Sequence, residues 1–199
     1  MKTYILPALR ILIVFTIFTG VIYPAAMTFL SLAVFPYQAK GSMIEKPARL
    51  GGNGAVVGSE LIGQGFISDK YFNSRPSAIG YNPMPSSGSN WGPTDKRMAD
   101  SVKARRERFI TQNNLPAGTE VPKEMLFASS SGVDPHISPK AAMFQVERIA
   151  KVRGLKDDSV KKLVEDFTEG PQLGIFGDPR VNVLKLNLAL DELHEQNKK

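Results

Sequence analysis

The sequence predicts an α+β fold, with one N-terminal transmembrane helix followed by a single compact soluble domain, strands early and helices late. Three observations predict it. Residues 11–37 carry no charged side chain. Between residues 41 and 72 the apolar runs are short and broken by glycine. From residue 94 onward apolar residues recur at three- and four-residue spacings between capping residues and glycines.

The uncharged stretch comes first. As a helix it would rise about 40 Å, more than the ~30 Å hydrocarbon core of a bilayer. It can therefore span with some tilt, here placed at about residues 11–36 within an N-terminal tail and anchor of residues 1–40. Tyr4 and Tyr37 bracket it, as interfacial aromatics do. A cleaved signal peptide would need a shorter apolar region and an A-x-A-like site after it, and no such site stands here. Pro24 removes a backbone bond in mid-span, and Gly20 lies one turn before it. Thr16 and Gly20 form a small-xxx-small pair, and Ala25 and Ala26 add further small residues. Thr16, Gly20 and Pro24 are thus the expected helix-packing residues, best tolerated where other helices pack alongside. Lys2 and Arg10 precede the span, and Lys40, Lys46 and Arg49 follow it. Charge alone nearly ties, so the orientation leans on the first-helix tendency: N-terminus cytoplasmic, domain periplasmic.

The domain, residues 41–199, is close to the commonest size of one globular unit. Gly51-Gly52-Asn53-Gly54 is a turn signal, and Met43-Ile44, Val56-Val57 and Leu61-Ile62 read as short strands around it. Residues 71–93, rich in Ser, Pro, Gly and Asn, predict a long irregular loop, a length that favours function. Thr94 is the expected cap of a helix to about Thr111, with Met98, Val102, Arg105 and Phe109 on one face. Ser138-Pro139 is a cap with proline at the first helical position. Ala142, Val146, Ile149 and Val152-Arg153 make its stripe, and Gly154 stops it. Asp157 or Asp158 opens the next helix, with Val160, Leu163, Val164 and Phe167 inward. After the Asp178-Pro179 turn, Asn182 caps a last helix carrying Leu186, Leu190 and Leu193.

The composition excludes several chemistries. There are no cysteines among the 199 residues, hence no disulfide, thiolate metal site or cysteine nucleophile. Lys and Arg number 25 against 19 Asp and Glu, an excess that fits a solvated basic surface, acidic partners or anionic lipid. Lys103, Arg105, Arg106 and Arg108 form a basic run, but no stacking aromatics or recognised module accompany it, so no nucleic acid is expected and a solvated helix face is. His136 and His194 are the only histidines, and no ligand spacing accompanies them, so no metal is expected. Residues 129–136, S-S-S-G-V-D-P-H, gather Ser, Asp and His in one turn. A hydrolytic relay needs them on different elements, so no catalytic residue is expected, and Asp134-Pro135 reads as a turn in which Asp134 accepts from nearby amides. Ile79-Gly80-Tyr81-Asn82 echoes a potassium filter, yet a pore needs four such loops between membrane helices.

Taken in order, the motifs resemble a family. Gly58-Ser59-Glu60-Leu61-Ile62-Gly63-Gln64 leads to Phe66, Tyr71-Phe72 and Arg75-Pro76-Ser77. Ser87-Gly88-Ser89-Asn90, Gly92-Pro93, Val121-Pro122 and the segment 129–138 follow. Gln145, Arg148 and Ala150, then Arg180-Val181-Asn182-Val183-Leu184 and Leu186-Asn187, complete the series. This order resembles the KdpC family, the C subunits of the bacterial Kdp potassium-transporting P-type ATPase, over nearly the whole chain. Ser87-Gly88-Ser89 departs from the S-G-G-S common there. The resemblance implies a non-catalytic accessory subunit of the inner membrane, needed for assembly and activity of an ATP-driven, high-affinity potassium uptake complex. Its implied partners are a potassium-translocating subunit, a P-type ATPase subunit, a small membrane peptide and the lipid bilayer. It also implies a role as catalytic chaperone raising the ATPase subunit's affinity for ATP; ATP binding rests on the family alone. Arg75, Pro76, Ser77, Ser87, Gly88, Ser89, Asn90, Asp134, Pro135 and His136 are the candidate partner-contact residues. The alternatives are a membrane-tethered hydrolase using Ser131, Asp134 or His136, and a binding module for a small ion.

Overall fold

A computed structural model describes residues 2–198; Met1, Lys199 and the side chains of Lys2, Thr3 and Arg49 lie outside the described residues. The chain divides into two units, residues 1–43 and 44–199.

The first unit is built around one long helical run. Helix α1 (Lys2–Ile17) passes through a π-helical turn, Phe18–Ile22, into α2 (Tyr23–Val34). Residues Tyr4–Val34 are long and apolar enough to cross a membrane. The helix starts at Lys2 rather than near residue 11 and takes in Pro7 and Arg10. A long, flexible arginine near a span's end can carry its charge to the interface, so it need not end the helix. The wide turn immediately precedes Pro24, with the Tyr23 amide donating to the Phe18 carbonyl. A proline ring clashes with the carbonyl four residues earlier, and a turn with an extra residue relieves that clash. The Thr19 and Thr28 hydroxyls donate to the Phe15 and Pro24 carbonyls, satisfying themselves within the helix. Phe35, which precedes Pro36, leaves helical geometry and ends α2; a short helix α3 (Pro36–Ala39) follows.

The second unit mixes strands and helices. Strand β1 (Met43–Glu45) pairs with β2 (Val56–Ser59) across a 3-10 turn at Ala48–Leu50 and the glycine-rich turn. Leu61 and Ile62 are not a strand: they lie exposed in a turn after β2. No helix or strand occurs among residues 60–95, the long irregular loop. Helix α4 (Lys96–Gln112) is capped by Asp95, not Thr94, because the Asp95 carboxylate accepts from the Arg97 amide at 2.9 Å. The basic run is not wholly solvated. Arg105 donates to the Leu126 carbonyl at 2.9 Å, and Arg106 to the carbonyls of Ala117 and Thr119, so both tie down the following loop.

Strand β3 (His136–Ile137) precedes α5 (Pro139–Met143), where the Ser138 hydroxyl accepts from the Ala141 amide. The helix expected over 138–153 is two: α5 stops at Phe144, and α6 (Val146–Arg153) ends at Gly154 in left-handed conformation. Val152 is exposed, while Arg153 turns inward. Helix α7 (Asp157–Asp166) opens at Asp157 as expected, with Asp157 and Asp158 in its first turn. Strands β4 (Thr168–Glu169) and β5 (Arg180–Asn182) then form a hairpin, and Asn182 caps α8 (Val183–Asn197) by accepting from Lys185. The three late strands were not anticipated; each is two or three residues long, too short to show alternation. They make an antiparallel sheet in the order β3-β5-β4, with His136 opposite Asn182 and Glu169 opposite Arg180.

The core joins Phe72, Phe109, Ile149, Val164, Val181 and Leu186 from loop, helices and sheet. Polar side chains inside it hold the irregular loop. Arg148, only 4% exposed, uses all five guanidinium N–H groups. Its Nε donates to Asn113 Oδ1 at 2.9 Å, Nη1 to the carbonyls of Asp69 and Tyr71, and Nη2 to Asn73 Oδ1 and Gln145 Oε1. Burial pushes its pKa down to about 10, so it stays charged at neutral pH. Asn187 grips the Phe72 backbone, accepting from its N–H at 2.8 Å and donating to its C=O at 3.0 Å. Arg153 donates to the Lys70 carbonyl and pairs with Asp191 at 2.7 Å. Lysine in place of Arg148 keeps the charge but offers three donors from one point, leaving buried acceptors unmet. Arg148→Lys is therefore expected to cost at least about 3 kcal/mol. Denaturant unfolding of the detergent-solubilised chain, monitored at Trp91, checks this; an unchanged midpoint would refute it.

Candidate functional site

The candidate contact residues fall in two stretches of the domain, 75–90 and 134–136, and two long-range pairings bring these stretches together. Arg75 Nη1 meets Asp134 Oδ2 at 2.8 Å, with both side chains partly exposed. The Ser129 amide donates to the Pro76 carbonyl at 3.0 Å. One segment, residues 75–90, is thereby stitched to the other, residues 129–136.

Each segment is stiffened locally. Ser77 Oγ accepts from the amides of Ile79 and Tyr81, and the Tyr81 hydroxyl returns to the Arg75 carbonyl at 2.8 Å. The Ile79–Asn82 stretch is therefore a tight braced turn, with burial holding the Tyr81 phenol above its usual pKa. The Ser86 hydroxyl donates to the Ser131 carbonyl at 2.8 Å, and Gly88 lies against the Ser130 backbone. Ser87 donates to the Gly88 carbonyl, Asn90 reaches Ser87, and Ser89 is half-buried beside them. Asp134 Oδ1 accepts from the His136 amide at 2.9 Å, as the Asp-Pro turn implied, and the buried Pro135 offers its carbonyl to the Val183 amide at the start of α8.

Two glycines permit this closeness. Gly132 has φ +72°, and a Cβ there would stand 2.5 Å from Ile79 Cγ1. At Gly63 a Cβ would stand 2.4 Å from the Asp134 carbonyl oxygen, while the Gly63 amide donates to Val133. A side chain at Gly132 would wedge the two segments apart, and one at Gly63 would push residues 133–134 away from the loop that follows β2.

Ser131, Asp134 and His136 do not form a relay. Ser131 Oγ accepts from the Val133 amide, and the two Asp134 oxygens are occupied by Arg75 and the His136 backbone. Among the described residues no three His, Asp or Glu side chains converge as a metal site. Alongside, Ser77, Tyr81, Arg105 and Arg108 wall a groove of about 870 Å³ between the loop and α4. The sequence reading gave no role at the surface to Tyr81, Arg105 or Arg180. Tyr81 carried a usable signal, a large aromatic inside a Ser/Pro/Gly/Asn segment. Thr16, Gly20 and Pro24 lie in the first unit, on either side of or within the π-helical turn.

Together these features define a class: an α+β domain that follows a membrane-length helix in the chain and whose loops are fastened to one another by an ion pair and hydrogen bonds. The family model described as "KdpC: K+-transporting ATPase, c chain" matches residues 5–192. The Potassium-transporting ATPase KdpC subunit of Burkholderia orbicola (strain MC0-3) is 50% identical, over 96% of this chain and 97% of its own length. Those of Methylococcus capsulatus (strain Bath) and Caldanaerobacter subterraneus subsp. tengcongensis are 50% and 44% identical, each over 94% or more of both chains. The chain belongs to the KdpC family.

His136 gives the surface a pH dependence. Burial lowers its pKa, Arg180 and Lys185 lower it further, and Asp134 and Glu169 raise it against them. With the folded-state value depressed, the folded chain binds the proton less well than the unfolded chain. Stability is then full above the ordinary histidine pKa of 6.5 and falls as pH drops through the folded value. His136→Asn should flatten the fall in melting temperature between about pH 7 and pH 5. An equally steep fall in the variant would show that other groups cause it.

Proposed function

We propose that this chain is the non-catalytic accessory subunit of an ATP-driven potassium uptake complex, anchored in the inner membrane by its membrane-length N-terminal helix. The family match across residues 5–192 carries this reading. Its partners are a potassium-translocating subunit, a P-type ATPase subunit and a small membrane peptide. Assembly uses both units of the chain: the anchor packs beside partner helices, and the joined loops 75–90 and 129–136 dock on partner surface. Those loops support the assignment because an ion pair and several hydrogen bonds fix their shape, and a preorganised surface loses little entropy on binding.

The domain lies outside the cytoplasm, so any effect on ATP affinity reaches the ATPase subunit through the complex, not through contact with nucleotide. The chain has no cysteine, so Asn197→Cys in the exposed end of α8 gives a single reporter. It should react with a membrane-impermeant maleimide in intact spheroplasts. Labelling only after lysis would reverse the topology.

Gly20 tests the anchor. A Cβ at Gly20 meets nothing within 4 Å in this chain, so a larger side chain is accommodated by the chain itself. Helix pairing in lipid depends on close contact between small residues. Gly20→Leu should therefore insert normally, lose copurification with the partner subunits, and fail to support growth at low potassium. Wild-type assembly and growth would reduce the anchor to a tether.

A further inference from the structure

The hairpin of β4 and β5 ends in residues 170–179, and its tip carries three large apolar side chains in solvent. Leu173 is 88% exposed, Ile175 78% and Phe176 64%. The tip is ordered, since Gln172 and Phe176 exchange both backbone hydrogen bonds, at 2.8 and 2.9 Å. Gly174 and Gly177 supply left-handed turns, but Leu173 adopts φ 54°, a conformation costly for a leucine. A side chain that costs backbone energy and buries nothing within the chain is not there for stability.

We infer that this tip is a docking plug that inserts into an apolar, basic-rimmed pocket on another protein subunit of the same complex. The inference rests on the reading of the chain as an assembly subunit and names a contact beyond the joined loops. Charge decides between protein and lipid. Glu169 and Asp178 flank the tip; Arg180 pairs with Glu169 at 3.1 Å, so those two neutralise each other and Asp178 leaves the rim with a net negative charge. Such a rim is repelled by an anionic lipid surface and complements basic side chains. The tip is also continuous with the proposed contact surface, because β5 places Asn182 opposite His136 of β3.

The test uses the full chain, tagged and co-expressed with the other subunits. Leu173→Asn suits the left-handed turn and removes the apolar side chain. It should leave the melting temperature unchanged or raised while partner recovery falls. Combined with Ile175→Ser and Phe176→Ser, it should cut recovery at least about tenfold, as loss of interface anchors does. Phe176→Trp in a Trp91→Phe background gives a local probe. Its emission should shift to the blue in the assembled complex, and not when the chain alone is reconstituted in vesicles of phosphatidylethanolamine and phosphatidylglycerol. Full recovery of partners by the triple variant overturns the plug while leaving the subunit reading intact. A blue shift in vesicles alone assigns the tip to lipid and also overturns it. If the wild-type chain recovers no other subunit, both readings fall.

Discussion

The buried guanidinium of Arg148 is the interaction on which the domain depends. A stretch of more than thirty residues, 60–95, forms neither helix nor ladder, so its backbone polar groups need partners from elsewhere. Arg148 supplies donors to the carbonyls of Asp69 and Tyr71, and organises Asn73, Asn113 and Gln145 around itself. Asn187 does for Phe72 what a neighbouring strand would do, taking its N–H and answering its C=O. Asn182 donates to the Glu60 carbonyl, and Arg153 to that of Lys70. The helices thus act as a template for a loop that cannot template itself. Phe72 can then sit fully inside the core although it belongs to no regular element.

Much of this order is visible in the chain, and the limits have physical causes. The caps Ser138 and Asn182, the stop at Gly154 and the stripes of α7 and α8 are local chemistry, and local chemistry is readable. Asp95 displaced Thr94 because two adjacent residues both fit the role and only the chain's path chooses. The strands 136–137, 168–169 and 180–182 are fixed by partners far away in sequence, and their few residues show no period. Gln145 and Arg153 stood as polar residues at spacings otherwise held by Ala142, Val146 and Ile149. That is the trace a buried polar network leaves, although the stripe by itself does not tell Arg153 from an apolar neighbour.

The candidate surface is legible in the sequence as a set of pieces and not as an arrangement. Arg75, Asp134 and His136 were named, but nothing local says that a guanidinium will close on a carboxylate 59 residues away. The glycines came closer to saying it. Gly132 sits where its backbone nearly touches that of Ser87, so its position encodes the approach that the charged pair then locks, and Gly63 marks a second close approach, to Asp134.

The wide turn before Pro24 has a geometric consequence for the anchor. One extra residue in a turn rotates everything beyond it by about 100° around the helix axis. Thr16 and Ala25, nine residues apart, would face opposite sides of an unbroken α-helix, and the wide turn changes that angle. The wide turn therefore decides what shares a side with Thr16: Pro24, about 80° away in an unbroken α-helix, is carried to within about 20° of it.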